Sequence, residues 1–225
     1  MNKIKAFLIH LLISAGVIGL LLLNIYYIWY PKPFFEISGV IEPLKLLIIV
    51  DVIIGPLLTL IVYKKGKETL VMDLSVIALI QIAALAYGIY TINAGRPSLV
   101  VFNSGQFHYL AEKFGNNSDI QYEELKPGMF TSPKYGYINQ LSTLDIYNSY
   151  KDIEPISDSK LMLYPHSLSE ENMLSQFPKK AEEIKSISSK YTNEEIMFFT
   201  MTKEQSTYYV VYSAKQKKIV EYVKF

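Results

Sequence analysis

The pattern of apolar and polar positions divides the chain near Arg96. Three apolar runs precede it, at residues 6–29, 46–63 and 70–92, and charged and turn-forming residues crowd the remainder of the chain. About 20 helical residues, rising 1.5 Å each, cross a hydrocarbon core, so each run is long enough to span. The first comes after a short basic start, as a cleaved signal peptide would. It is too long for one, however, and it runs into Tyr26, Tyr27, Trp29 and Tyr30 without a small-residue cleavage site, so the pattern predicts an uncleaved span. Lys3 and Lys5 precede this span, and Lys64, Lys65 and Lys67 lie between the second and third. The positive-inside rule puts both segments in the cytoplasm and everything after Arg96 outside.

Between the first two spans, Pro31, Pro33 and Pro43 stiffen a loop that Phe34, Phe35 and Ile37 keep apolar. That composition predicts a segment lying on the headgroup layer, with Trp29, Phe34, Phe35 and Arg96 marking the outer interface. A contact surface for a partner is the sharper alternative.

Beyond Arg96-Pro97 the period changes. Runs at 99–102 and 107–110 flank Asn103-Ser104-Gly105 and predict a β-hairpin. Residues 112–132 and 151–159 are polar and read as loop, with a short strand at 135–138 and a short helix at 141–150 between them. Pro178 opens a helix to Tyr191, with Ala181, Ile184, Ile187 and Tyr191 on one face. Strands at 195–201, 207–213 and 219–225 close the chain. The expected architecture is three transmembrane α-helices in residues 1–96, then an α+β domain with an antiparallel sheet in residues 97–225.

Composition adds little to this. The hydrophobic fraction of 50% is concentrated in the first part, and a net charge of +1 gives no reason to expect nucleic acid. There is no cysteine, so disulfide and thiol chemistry are excluded. His10, His108 and His166 lack metal-ligand spacing, and no phosphate-cradling loop or GxSxG elbow occurs, so no cofactor is expected.

The informative chemistry lies inside the spans. Asp51, the Gly55-Pro56 step, Asp73 and Gln81 are costly in lipid and call for a protein neighbour or a watery cavity. Counted from the cytoplasmic ends, Asp51 and Gln81 both lie about 18 Å deep, while His10 lies at about 7 Å and Asp73 at about 6 Å. The expectation is two depth-matched pairs, Asp51 with Gln81 and Asp73 with His10. Pro56 removes a backbone donor and bends its helix. Asp51 and Asp73 can serve as glue between helices, as a site for a guest helix, or as a catalytic dyad. A dyad shares a proton between close carboxyls, whereas these differ in depth by about 12 Å.

Together these residues form a pattern. The run IHLLISAGVIGLLLL ending in WYPKPFFE, then VDVIIGPLLTLIVY, then MDLSVIALIQIAALAYGIYT before Arg96-Pro97, resembles the type IV pilin accessory proteins of the TfpX/TfpZ (FimB-like) family. The motifs DxxxGPLLTL and DLxVIxLxQ place Asp51, Gly55, Pro56, Asp73 and Gln81 on the family pattern. The resemblance implies a bacterial inner-membrane protein with a periplasmic C-terminal domain. It also implies a chaperone-like partner of the major type IV pilin that affects its stability, supply and assembly; the working hypothesis is that the bundle receives the pilin's transmembrane helix while the outer domain meets its head. It implies no enzyme. The alternatives are an intramembrane hydrolase or pilin-modifying transferase, and a sensor with an external ligand domain.

Overall fold

The computed structural model describes residues 2–114, 119–139, 150–157, 169–192, 195–203 and 206–223. Helix α1 (Lys3–Asn24) starts where the Asn2 side chain accepts from Lys5 N at 2.8 Å, and a π-helical turn, Ile25–Trp29, extends it. After a short α2 (Phe34–Ile37), the second span is assembled from α3 (Ile41–Ile48), a π-helical segment Ile49–Ile54 and α4 (Gly55–Val62). It begins earlier than residue 46 because Glu42 and Lys45 pair at 2.7 Å across one turn, so charged residues still form helix there. Helix α5 (Leu70–Gly95) is the third. The spans Lys3–Trp29, Ile41–Val62 and Leu70–Gly95 are long and apolar enough to cross a membrane.

The first and third spans both pack on the second and have no extended contact with each other. They are tied at the end nearest the sheet, where Tyr30 Oη donates to Ile92 O at 2.6 Å amid Ile25, Trp29, Val40 and Leu44. Further along, residues of both spans line a cleft beside the second.

Strands β1 (Pro97–Asn103), β2 (Gln106–Ala111), β3 (Lys134–Tyr137), β4 (Glu154–Pro155), β5 (Ile196–Lys203), β6 (Ser206–Ser213) and β7 (Lys218–Val223) form one sheet in the order β4-β3-β1-β2-β5-β6-β7. The β1–β2 hairpin turns where expected, with Ser104 and Gly105 at φ 49° and 88°. Most pairings are antiparallel, as the sequence predicts, but β1–β3 and β2–β5 are parallel. Both β3 and β5 arrive after long crossovers, and parallel neighbours need such connections in place of tight turns.

The helix expected at 178–191 is α7 (Ala181–Lys190), entered through a 3₁₀ turn at Pro178–Lys180, with Ile184 and Ile187 buried. It pairs with α6 (Glu170–Gln176), which the periodicity does not predict. A capping signal does mark it: Ser169 Oγ accepts from Asn172 N at 3.2 Å, ahead of Glu170 and Glu171 in the first turn. The short helix expected at 141–150 falls almost wholly outside the described residues.

On one face of the sheet, α6 and α7 cover Phe198, Val211, Val220 and Val223, and Ile120, Leu125, Tyr150 and Ile153 cover Leu99, Val101 and Leu110. The other face curls on itself. The backbone N–H of Ile219 in β7 donates to Tyr135 Oη in β3 at 3.1 Å, bridging opposite ends of the sheet. Tyr135 is half-buried, and desolvation of its hydroxyl in this contact pushes its pKa up.

That curled face holds the main departure from the expected architecture. Phe34 and Ile37 do not lie on headgroups; they are buried in the sheet's own core beside Val100, Phe107, Tyr109, Phe199 and Met201. Lys203 Nζ donates to Ser38 O at 2.8 Å and Tyr222 Oη to Glu36 Oε2 at 3.0 Å, seating the loop from above. A curled sheet open at one end exposes apolar interior, and this loop is the apolar segment near enough to fill it. Phe35 instead packs on Tyr26, ring centroids 5.2 Å apart.

Candidate functional site

The membrane cleft is built around an irregularity in the second span. Within Ile49–Ile54 the hydrogen bonds skip one residue further than in an α-helix, so Gly55 N–H donates to Val50 O. The α-helical donor for Asp51 O is thereby used elsewhere, and the next candidate, Pro56, has no N–H. Gln81 Nε2 from the third span takes that place, donating to Asp51 O at 3.4 Å. It reaches because residue 55 is glycine: a Cβ there would overlap the Gln81 amide.

With its carbonyl answered, the Asp51 side chain is left over. Asp51 is only 5% exposed, and its Oδ2 has no hydrogen-bond partner among the described residues. It forms part of the wall of a cleft of about 180 Å³ lined by His10, Ser14, Val17, Ala78, Gln81 and Leu85, among others. Across the second span Asp51 also borders a hollow of about 160 Å³ beside Leu47 and Gly88. A Cβ on Gly88 would strike Leu47, so this glycine sets how closely the third span approaches.

The expected pairs are realised unequally. Asp51 and Gln81 do come together, through the aspartate's backbone. Asp73 and His10 do not. Asp73 pairs with Lys67 at 2.5 Å and accepts from Thr69 Oγ1 at 3.2 Å, both close in sequence. The first and third spans share no extended contact, so depth matching alone does not bring His10 within reach of Asp73. His10 Nδ1 instead shares a 2.6 Å hydrogen bond with Thr59 Oγ1. Thr59 is about as deep as His10 and is legible on the same count, although a hydroxyl stands out less in an apolar run than a carboxylate does.

Trp29 and Arg96, at the ends of the first and third spans, are buried within the protein instead of lying exposed on its surface. Arg96 follows the third span and its guanidinium donates to Gly128 O at 2.9 Å, Met129 O at 3.4 Å, Thr131 O at 3.5 Å and Glu112 Oε2 at 3.3 Å. Its Cζ stands 5.7 Å from the centroid of the Trp29 ring, whose Nε1 donates to Met129 O at 2.6 Å. The role of this loop at 128–131 is not foreseen from the sequence, although Pro127-Gly128 marks it as a turn.

Among the described residues no group of three His, Asp or Glu converges in a way that holds a metal ion. The cleft wall thus combines a carboxamide and an imidazole with a buried, unanswered carboxylate oxygen just behind it, in otherwise apolar surroundings.

Known proteins share part of this chain. The family described as fimbrial assembly protein FimB matches over residues 1–39. Three fimbrial assembly proteins of Dichelobacter nodosus, from serogroup I, serogroups C1 and C2, and serogroup E1, are each 38% identical over 120 residues, or 52% of this chain. The alignment covers 87% of the C1/C2 protein but 44% of the serogroup I and E1 proteins, so the chain matches less than half the length of the latter two. No solved structure matches.

Proposed function

We propose, for a chain that belongs to the FimB family of fimbrial assembly proteins, that it acts in pilus biogenesis by holding the major type IV pilin in the membrane before assembly. In this reading the protein lies in the bacterial inner membrane, its N-terminus cytoplasmic and its sheet domain periplasmic. The pilin's transmembrane helix enters the cleft between the first and third spans, and the pilin head meets the sheet domain. The role is binding without bond-breaking, and it modulates how much pilin survives and is supplied.

The single observation that carries this reading is the Asp51 carboxylate, buried, unpartnered at Oδ2, and set in a cleft open along the bundle's side. A buried polar group without a partner is costly in lipid, and a protein that keeps one in the wall of a cleft gains when a guest helix packs there and answers it. Pilins fit as guests because their membrane helix carries a charged N-terminus, which can donate to a carboxylate, and a glutamate, which can do so when one of the two carboxyls is protonated. Asp73, turned to Lys67 at the start of its helix, favours this over a two-aspartate hydrolase.

Photo-crosslinkers at Ile13, Val17 and Leu85 in the cleft test it in cells making the pilin. Crosslinking to pilin from these positions, but not from exposed Leu12 and Leu79, is expected, and it should be lost in Asp51→Leu while the protein still accumulates. Pilin crosslinks absent from the cleft, or equal at all positions, would overturn the proposal.

A further inference from the structure

The sheet domain hides its apolar side chains almost completely. Among its described residues, Tyr122, Met129 and Phe130 are the only large hydrophobic ones exposed, Met129 at 61% and Phe130 at 68%. Scattered exposed apolar residues need no explanation, but two consecutive ones on a fixed loop do.

The loop is fixed by its backbone. Gly128 O, Met129 O and Thr131 O accept from Arg96, Met129 O accepts from Trp29, and Thr131 Oγ1 accepts from Gly128 N at 2.8 Å. With its carbonyls answered from inside, the loop does not need water on that side. Its clamps also fix its height, because Trp29 is the last residue of the first span and Arg96 follows the last residue of the third. The loop therefore covers the rim of the bundle at the level where the spans leave the membrane. β3, the next strand in the chain, starts at the same end of the sheet, since Lys134 is in register with Leu99.

We propose that the 128–131 loop is a membrane finger, whose Met129 and Phe130 side chains enter the lipid headgroup and upper acyl layer on the side of the sheet domain. The occupant is the bilayer itself. Apolar side chains presented at that height by a backbone hydrogen-bonded inward meet lipid at small cost and gain by burial. The finger would give the domain a purchase on the membrane beside its covalent link to the third span, limiting its tilt over the cleft mouth. This rests on the spans crossing a bilayer, and not on what the cleft binds.

The chain lacks cysteine, so single nitroxide labels can be placed without background. Full-length Phe130→Cys, Lys215→Cys and Leu79→Cys are each labelled and reconstituted in nanodiscs of phosphatidylethanolamine and phosphatidylglycerol. Collision rates with oxygen and with a water-soluble nickel complex are then compared. Leu79, exposed on the third span, must read lipid, and Lys215, exposed in the β6–β7 turn at the far end of the sheet, must read water. The label at 130 is expected to favour oxygen over nickel several-fold relative to Lys215, with Trp29 emission unchanged. A label at 130 reached freely by nickel would place the finger in water and overturn the proposal. So would one shielded from both reagents, which would mean that protein covers it. A lipid signal at Leu79 in either case shows that the spans are still inserted and that only the finger has failed.

Discussion

Gln81 and Asp51 meet at a backbone carbonyl: the Gln81 amide donates at 3.4 Å to an oxygen whose α-helical donor, Gly55 N–H, goes to Val50 O and whose next donor position is Pro56. Gly55 leaves room for that amide, so four residues of two spans form a single unit. The consequence is that Asp51's carboxylate is not used to hold the bundle together. A side chain that glued the helices would be satisfied within them, whereas this one keeps Oδ2 unanswered. The contact that ties the two spans thus uses the backbone of Asp51 and leaves its side chain out.

Gly55→Ala tests that unit. The new methyl overlaps the Gln81 amide, so the helices separate or the amide leaves, at about 1–3 kcal/mol for overpacking plus the lost hydrogen bond. Truncating the obstacle should restore the fit. Thermal unfolding in detergent is expected to show Gly55→Ala clearly destabilised and Gly55→Ala/Gln81→Ala recovered most of the way. A double variant worse than the single would mean that the glycine serves flexibility and not close approach.

How far the sequence discloses this arrangement depends on the kind of interaction. The three spans and most strands are legible in periodicity, because burial imposes it directly. The Asp51–Gln81 contact is legible in depth, since residues at one height in adjacent helices can touch. The Asp73–His10 pair fails because depth carries no information on which spans are neighbours, and Lys67 and Thr59 are nearer partners. The burial of Phe34 and Ile37 is beyond reach of local pattern. An apolar loop beside a membrane looks the same whether lipid or a curled sheet receives it, and only the tertiary fold decides.

Phe34 fills the open end of the curled sheet and is fully buried, its ring centroid 5.8 Å from that of Tyr109. Phe34→Ala should cost about 3–5 kcal/mol, the usual range for a large aromatic removed from a core. Phe35→Ala, at a half-buried position against Tyr26, should cost distinctly less. Because the sheet takes its plug from the loop between the first two spans, Phe34→Ala should expose the sheet domain to limited proteolysis while the spans stay inserted. Equal protease resistance in the two variants would rule out the plug.

Arg96 answers three carbonyls and Glu112 with one planar group while facing the Trp29 ring. A lysine ammonium keeps the charge but cannot span those acceptors. Arg96→Lys is therefore expected to leave buried carbonyls unsatisfied, at about 1–3 kcal/mol. Trp29 is the only tryptophan, so the change has a direct reporter. Its emission should shift to the red as the 128–131 loop loosens and water reaches the indole. An unshifted spectrum with unchanged stability would show that Trp29 alone holds the loop.

His108 gives the sheet domain a built-in dependence on acidity. It sits on β2 opposite Val101, its Nε2 has no partner among the described residues, and burial pushes its pKa down from 6.5 to about 4. The folded state thus disfavours the proton that the unfolded chain accepts. Above pH 6.5 both forms are neutral and the domain has its full stability; as the pH falls from 6.5 toward 4, the unfolded chain is increasingly favoured, by at most about 3 kcal/mol. Carboxylates titrate in part of that window too, so the informative quantity is the difference from His108→Leu, which removes the titrating group and leaves a side chain suited to its apolar neighbours. Melts followed by circular dichroism at pH 7, 6 and 5 should show the parent losing stability faster than the variant. Parallel pH profiles would mean that the imidazole finds a hydrogen-bond acceptor when protonated, and that its burial carries no penalty.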